Sequence, residues 1–265
     1  MRFQLIRHGQ TPSNVAGQLD TAYPGASLTP LGHRQARALP QAFSGGQLQS
    51  IYASTLNRTQ LTAQPLSEST GQKLQVIDGL EEISSGILEM QADEASRYAY
   101  GMCLHSWMHG DWEQKMPGGP NGYDFIERYS KALETIARAQ DYSGTVAVFS
   151  HGAAIRVFSA WATKMAPADA AELHIENTGG SLLELGIGGT WALERWNPEP
   201  LGGDFVRDVL TEDVTGGEDG IPEYPAPPGI ASCTNSASIF SVVWQGSSFS
   251  AERTNGRPSC TTTFP

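Results

Sequence analysis

Two histidine–glycine pairs, His8-Gly9 and His151-Gly152, each follow a short apolar segment of the chain. A neutral imidazole is a competent nucleophile near pH 7, because its pKa lies close to that pH. Arg7 precedes the first pair; its planar guanidinium suits phosphate oxygens, and its charge favours the neutral imidazole. A lone histidine of this kind is more often structural, but two such pairs at predicted strand ends indicate a site for phosphoryl chemistry.

The segments that position these histidines alternate between strand and helix patterns up to about residue 197. Apolar runs predict strands at 2–6, 50–54, 74–77 and 145–150, and a closing hairpin at 181–188 and 190–196. Helical spacing predicts helices at 28–43, 55–70, 125–140 and 153–165, the second bent or ended by Pro65. This alternation indicates a mostly parallel sheet with helices on both faces, and ligands of such sheets bind beyond the carboxyl ends of the strands. Both histidines fall at that edge.

Composition limits the classes of partner. The chain has 265 residues, 39% hydrophobic and 17% charged, which is typical of a soluble globular protein. A net charge of -11 argues against binding to a nucleic acid, although a locally positive pocket can still hold a small anion. The sequence has no apolar run long enough to cross a bilayer, so we expect no membrane association and a cytoplasmic location.

Five segments, in order along the chain, carry these histidines and further polar residues. The first is Arg7-His8-Gly9, followed by Gln10-Thr11 and Asn14. The others are LTPLGHRQARAL, SIYASTLNRTQLTA with Arg58, GLEEISSG with Glu82, and VAVFSHGAAIR with His151. Together they resemble the motifs of the histidine phosphatase superfamily, the phosphoglycerate mutase-like group, over roughly residues 1–197. The resemblance implies that group's three-layer α/β/α sandwich with a mostly parallel central sheet.

The resemblance also implies a role for each matching residue. His8 would attack the phosphoryl group and become a covalent phosphohistidine, while Arg7, Arg58 and His151 surround the phosphate oxygens. Glu82 would protonate the leaving alkoxide and then deprotonate water. Two further residues, Asn14 and Gly152, would complete the phosphate site, and Gly9 would let the phosphate approach the backbone closely. No metal or other cofactor is expected, since the protein's own cations hold the phosphate charge.

Several assignments have alternatives in the sequence. Glu81 could take the place of Glu82, and Arg58, on a predicted helix, could be a solvated surface residue. His105 and His109, with Asp111 nearby, could ligate a metal, although this stretch fits a cap on the substrate side better. Finally, Asn177-Thr178 is expected to border the pocket.

The remaining residues, 198–265, form a Pro-, Gly- and acid-rich and then Ser/Thr-rich extension, set apart from a catalytic domain at 1–197. We expect this extension to be loosely ordered or to act as a lid. It contains Cys233 and Cys260, which could form a disulfide, although free thiols fit a cytosolic protein better. With Cys103, they show no metal-ligand spacing.

Three activities fit these motifs. A metal-independent phosphomonoester hydrolase is favoured, because a phosphoglycerate mutase needs extra cations around a small, doubly charged substrate. Trp107, Met108 and Trp112 would supply apolar surface for the body of a small phosphorylated substrate. A phosphoglycerate mutase and a catalytically silent phosphate-binding protein are the alternatives, and the oligomeric state is left open, a dimer included.

Overall fold

The computed structural model describes residues 1–45, 48–140 and 144–208, so the predictions for Cys233, Cys260 and most of the extension lie outside the described residues. The strands are β1 Arg2–Arg7, β2 Leu48–Ala53, β3 Leu74–Val76, β4 Thr145–Ser150, β5 Gly180–Leu185 and β6 Trp191–Asn197. The helices are α1 Pro12–Val15, α2 Pro30–Ala42, α3 Asn57–Thr70, α4 Glu94–Met108, α5 Gly122–Arg138, α6 Gly152–Ala162 and α7 Pro167–Ala171. Short 3₁₀ turns occur at Gly86–Leu88 and Asp204–Val206.

The strands described form one sheet in the order β3-β2-β4-β1-β5-β6. The pairs β2/β3, β2/β4 and β1/β4 are parallel, and the predicted hairpin β5–β6 is antiparallel. In the β1/β4 register, Arg7 lies opposite Ser150. His8 therefore follows the last residue of β1, and His151 follows the last residue of β4. The register brings the two imidazoles to the same edge of the sheet.

Helices cover both faces of this sheet, as predicted for a three-layer sandwich. On one face, Ile6 and Phe149 pack with Leu39 of α2 and Leu66 of α3. On the other face, a larger cluster joins β1 and β4 to α4, α5 and α6, with Leu5 as one of its buried members. Neighbouring residues of one strand thus enter different apolar layers, as the alternation of a pleated strand requires.

Besides the short helices α1 and α7, which were not predicted, two longer helices differ from the sequence prediction. Helix α3 continues past Pro65 to Thr70, so this proline does not end the helix, and the other expectation, that it bends the helix, stays a prediction. A proline removes one N–H from the helix ladder, and here Leu66 beyond it is still buried against the sheet, which favours continuing the helix. Helix α4 was not predicted, although Tyr100, Cys103, Leu104 and Trp107 have helical spacing and are buried.

The first residues of the extension lie against the domain. The N–H of Leu201 donates to the carbonyl of Thr178 at 3.0 Å, and the Gln35 amide donates to the carbonyl of Val206 at 3.1 Å. The boundary at residue 197 stays a prediction. Among the helices described, none is both long enough and apolar enough to span a bilayer. The cytoplasmic location stays a prediction as well.

Candidate active site

A cavity of about 30 Å³ opens beyond the carboxyl ends of β1 and β4. That volume has room for about two water molecules. Six of the seven residues predicted for the site line it, namely Arg7, His8, Asn14, Arg58, Glu82 and Gly152. The structure thus brings together residues that lie as far apart in the chain as strand β1 and the start of α6.

The His8 ring is held in one tautomer. Its Nδ1 lies 2.8 Å from the carbonyl oxygen of Gly9. A carbonyl only accepts, so Nδ1 carries the proton and the Nε2 lone pair is left for the cavity. Burial lowers the pKa of His8 well below its ordinary value, and the charges of Arg58 and Arg7 lower it further. His8 is therefore neutral at neutral pH and can act as a nucleophile.

The structure gives a packing reason for the glycine at position 9. A Cβ at Gly9 would lie 2.7 Å from the carbonyl oxygen of Gly32, at the start of α2. The close approach of the α2 backbone therefore requires a glycine here, and the expectation that Gly9 lets a phosphate approach the backbone closely stays a prediction. The backbone of this loop is also held by Thr62, whose hydroxyl accepts from the Gly9 N–H at 2.9 Å.

The two arginines are buried and anchored. Arg7 donates from Nη1 to the carbonyl of Ile175. Arg58 donates from Nη2 to the backbone carbonyl of Asp20 at 2.8 Å, and its Nη1 lies 3.5 Å from the Asp20 carboxylate. That carboxylate also accepts from the Ser13 hydroxyl at 2.7 Å. The possibility that Arg58 is a solvated surface residue is wrong, since its side chain is 2% exposed.

Of the two neighbouring acids, Glu82 lines the cavity and Glu81 does not. Glu82 Oε1 accepts from the N–H of Ile83 at 2.8 Å and of Ala154 at 2.8 Å, while from the described residues Oε2 accepts the N–H of Ala153 alone, at 3.1 Å. Burial raises the pKa of Glu82 above its ordinary value, against the lowering effect of these hydrogen bonds and of a nearby guanidinium. A proton on this carboxyl group is favoured on Oε2, the oxygen with fewer donors.

The segment that carries Glu82 is fixed by hydroxyl groups on both sides. The Tyr100 hydroxyl of α4 donates to the carbonyl of Ile83 at 3.0 Å. The Ser150 hydroxyl of β4 donates to the carbonyl of Leu80 at 2.8 Å, and Tyr129 of α5 donates to Ser150 at 3.0 Å. Three elements of the larger apolar layer therefore set the position of the carboxylate.

His151 lies behind the cavity wall instead of in it. It is fully buried, with its ring centroid 5.3 Å from that of His8. Arg58 Nε donates to His151 Nδ1 at 3.3 Å, so the other nitrogen, Nε2, carries the proton and donates to the Ser54 hydroxyl at 2.8 Å. Burial and the charge of Arg58 lower the pKa of His151 well below its ordinary value. In this arrangement His151 contacts the arginine, and the arginine lines the cavity.

Asn14 is oriented by its neighbours. Its Oδ1 accepts from the N–H and the hydroxyl of Thr11, both at 3.0 Å, and from Asn177 Nδ2 at 3.3 Å. These contacts leave the Asn14 amide nitrogen as the group that can donate into the cavity. Asn177 also donates to the carbonyl of His8 at 3.0 Å. Neither Asn177 nor Thr178 lines the cavity, so this pair supports the site from behind.

Asp20 and Tyr100 line the cavity without having been predicted. A carboxylate beside a buried arginine offsets the cost of burying its charge, but nothing in the spacing of the chain identifies Asp20 as the partner of Arg58. The helical spacing of α4 could have located Tyr100. The aromatic residues expected at the substrate side are placed elsewhere: Trp107, Met108 and Trp112 line neither this cavity nor the larger one beside it.

His105 and His109 stack with ring centroids 3.8 Å apart near the end of α4. In the part of the chain that the structure describes, no group of three or more His, Cys, Asp or Glu residues could hold a metal ion. The pair, with Asp111, therefore lacks the donor set that the sequence alternative requires.

Comparisons with known proteins agree with this geometry. The family model for the histidine phosphatase superfamily (branch 1) matches residues 3–199. The chain is 32% identical over 225 residues to the PE-PGRS family protein PE_PGRS11 of Mycobacterium tuberculosis, covering 79% of this chain and 38% of that protein. It is 25% identical over 209 residues to a probable phosphoglycerate mutase of Yersinia enterocolitica, covering 79% of this chain and 96% of that protein. A solved mycobacterial glucosyl-3-phosphoglycerate phosphatase matches with a TM-score of 0.63 and 25% identity, over 75% of this chain and 99% of that one.

The proteins that this chain resembles share one family but differ in activity. The relatives include both phosphatases and phosphoglycerate mutases, and the chain spans well under half the length of PE_PGRS11. The family model covers most of the described residues, including the carboxyl ends of β1 and β4, beyond which the candidate residues meet. This protein belongs to the histidine phosphatase superfamily, in its branch 1.

Proposed function

We propose that this protein is a phosphomonoester hydrolase that acts through a covalent phosphohistidine on His8. One observation carries the proposal: a neutral imidazole with a free Nε2 and a carboxyl group with a raised pKa line the same small cavity. The guanidinium groups of Arg7 and Arg58 line it too. A nucleophile, a proton donor and two cations are the groups that transfer of a phosphoryl group requires.

In the first step, the Nε2 lone pair of His8 forms a bond to phosphorus as the ester P–O bond breaks. The proton on Glu82 Oε2 passes to the departing alkoxide, which leaves as an alcohol. The charge on the phosphoryl oxygens is stabilised by Arg7 and Arg58, assisted by the Asn14 amide and the backbone at Gly152.

In the second step, Glu82, now a carboxylate, takes a proton from a water molecule. The resulting hydroxide forms a bond to phosphorus as the N–P bond to His8 breaks, and inorganic phosphate leaves. Both steps balance with the groups of this chain and water. We propose that His151 joins the phosphate contacts in its other tautomer, with Nδ1 protonated and Nε2 accepting from the Ser54 hydroxyl, once Arg58 Nε turns from the ring to a phosphate oxygen.

Hydrolysis is favoured over a mutase reaction by the charges near the site. Five cations lie in the sequence between Glu82 and His151, namely Arg97, Lys115, Arg128, Lys131 and Arg138. Among the described residues, only Arg128 of these lines a cavity at the site, and it forms an ion pair with Glu81 at 3.0 Å. None of these five cations is therefore placed to bind the second anionic group of a phosphoglycerate without giving up another partner.

The test is trapping of the intermediate. With p-nitrophenyl phosphate and a chelator present, the enzyme should release nitrophenol, and rapid quenching of a reaction with radiolabelled ester should give an acid-labile phosphoenzyme. His8→Ala should abolish both signals, whereas His174→Ala, at an exposed position outside the cavity, should keep them. Normal turnover by His8→Ala would refute the nucleophile assignment. Efficient isomerisation of 3-phosphoglycerate with a bisphosphate primer, without hydrolysis, would favour the mutase.

A further inference from the structure

A second and larger cavity, of about 340 Å³, adjoins the first. The two cavities share two lining residues, Thr21 and Glu82. The small cavity, of about 30 Å³, is lined by His8 and the arginines, whereas the large one is lined by residues of the 81–84 segment and of α5. Glu82 therefore stands between a polar cavity for phosphoryl oxygens and a roomier space on its other side.

This arrangement fits the two halves of a phosphomonoester. The proton donor must reach the oxygen that joins phosphorus to the alcohol, so that oxygen lies beside Glu82. The small cavity is lined by His8 and by the two arginines that would hold the phosphoryl oxygens, so the phosphoryl group lies there. The body of the alcohol therefore extends into the large cavity, an inference that rests on the hydrolase proposed above.

One wall of the large cavity is apolar. It is formed by the partly exposed Pro120, with Ile83 and Phe125 packed behind the surface. A hydrocarbon chain or ring placed against this wall loses water-exposed apolar area, which favours binding. The apolar surface expected from the sequence thus exists, but different residues provide it.

The charged wall of the large cavity has an excess of acid. Glu81 and Asp124 line it with a single cation, Arg128, so these side chains carry a formal charge of -1 without Glu82. Arg128 has little left to offer a ligand, because Nη1 donates to the Gly79 carbonyl at 2.9 Å and to Glu81 Oε2 at 3.0 Å. Its Nη2 donates to the carbonyls of Glu81 and Glu82 at 3.0 and 3.2 Å.

A carboxylate or second phosphate on the alcohol would enter this space without a free counter-charge. It would face Asp124, an exposed carboxylate that is held at the start of α5 through the Asn121 N–H at 3.0 Å. We propose that the large cavity is the leaving-group subsite and selects phosphomonoesters whose alcohol has an apolar body and no negative charge.

The test compares two esters that differ by one carboxylate, phenyl phosphate and 4-carboxyphenyl phosphate. We expect kcat/KM to be about three- to tenfold higher for phenyl phosphate, the size of effect that one like charge gives at a partly solvated site. The carboxylate makes the phenol a slightly better leaving group, so chemistry alone would give the opposite order. Equal values, or a preference for the carboxylated ester, would overturn the proposal.

Two variants locate the source of the selectivity. Asp124→Asn removes one negative charge from the cavity and should narrow the kcat/KM ratio of the two esters by about threefold. Glu134→Gln makes the same charge change on α5, ten residues or about 15 Å along the axis, where Glu134 pairs with Arg138. The control variant should keep the wild-type ratio. An unchanged ratio in Asp124→Asn would refute the assigned role of this cavity.

A binding measurement separates this inference from the proposed function. Calorimetric titration of the His8→Ala protein with each ester reports affinity without turnover. Tighter binding of phenyl phosphate would support the subsite even if the wild-type protein hydrolysed neither ester, a result that would reject only the hydrolase. Equal affinities would reject the subsite even if both esters were hydrolysed.

Discussion

Glu82→Gln gives the sharpest test of the proposed proton donor. Glutamine keeps the length and shape of the side chain but cannot give a proton to the leaving oxygen. Its carbonyl oxygen can replace Oε1 and accept from the N–H groups of Ile83 and Ala154. Its amide then takes the place of Oε2 and faces the N–H of Ala153, so that one donor loses its acceptor.

The size of the effect depends on the alcohol. General acid catalysis contributes about 10²- to 10⁴-fold to rate. For an alkyl phosphate, which leaves as a strongly basic alkoxide, we expect kcat/KM to fall by that amount, roughly 3–5 kcal/mol in activation free energy. For p-nitrophenyl phosphate, whose leaving group is stable as an anion, the fall should be less than about tenfold.

The quantity to compare is kcat/KM, because it reports the steps up to release of the alcohol and excludes hydrolysis of the phosphohistidine. Glu82 is also the proposed base for that later step. With p-nitrophenyl phosphate, the variant should therefore show a burst of nitrophenol followed by a slow steady state, as the phosphoenzyme accumulates. Equal losses for both esters would refute the general-acid role.

Two controls guard against a trivial loss of structure. Glu81→Gln alters the neighbouring acid, which contacts Thr55 and Arg128 and lines only the larger cavity, so its effect should not depend on leaving-group basicity in this way. Thermal unfolding of Glu82→Gln should show a folded protein. The unpaired Ala153 N–H costs about 1–3 kcal/mol, offset by removal of a buried carboxylate.

Two further predictions concern charge in the small cavity. Asp20→Asn removes the carboxylate paired with buried Arg58, so we expect the free energy of unfolding to fall by about 3 kcal/mol. Because Arg58 loses this anchor, phosphate or vanadate should inhibit the variant more weakly than the wild-type protein. Unchanged inhibition would contradict this role of Asp20. In the pH profile of kcat/KM, deprotonation of Glu82, whose pKa is raised, should produce an alkaline limb above the ordinary carboxyl range. Activity should be lost as pH rises through that limb, and Glu82→Gln should lack it. Protonation of His8 should lower kcat/KM only at pH values below the ordinary imidazole range, since the pKa of His8 is lowered. If Glu82→Gln keeps the alkaline limb, Glu82 is not its source.

The meeting of the two histidines was predictable from the sequence. Each follows an apolar run that forms a buried strand, and parallel strands present their carboxyl ends at one edge. The sequence could not show that β1 and β4 are neighbours with Arg7 opposite Ser150, although the resemblance to a known family implied that both histidines belong to one site. Both strands, and the mostly parallel sheet, are confirmed.

The missed features depend on tertiary contacts that leave little trace in local spacing. The partner of Arg58 is Asp20, which lies in a loop and is selected by geometry alone. Gly9 looked like a residue that makes room for ligand, and its lack of a side chain also accommodates Gly32. Helix α3 continues through Pro65 because packing of its buried face outweighs the lost backbone hydrogen bond.

The N–H groups at the start of α6 could bind either a phosphate or the carboxylate of Glu82. Helix N-termini are ready anion sites, and the N–H groups at such an end are available to a phosphate in many proteins. Here the N–H groups of Ala153 and Ala154 are taken by Glu82. These bonds favour the carboxylate, whereas burial favours the protonated form and has the larger effect on the pKa. We infer that the helix end keeps the pKa of Glu82 from rising so far that it could no longer act as a base, and that the phosphate charge is consequently left to Arg7 and Arg58.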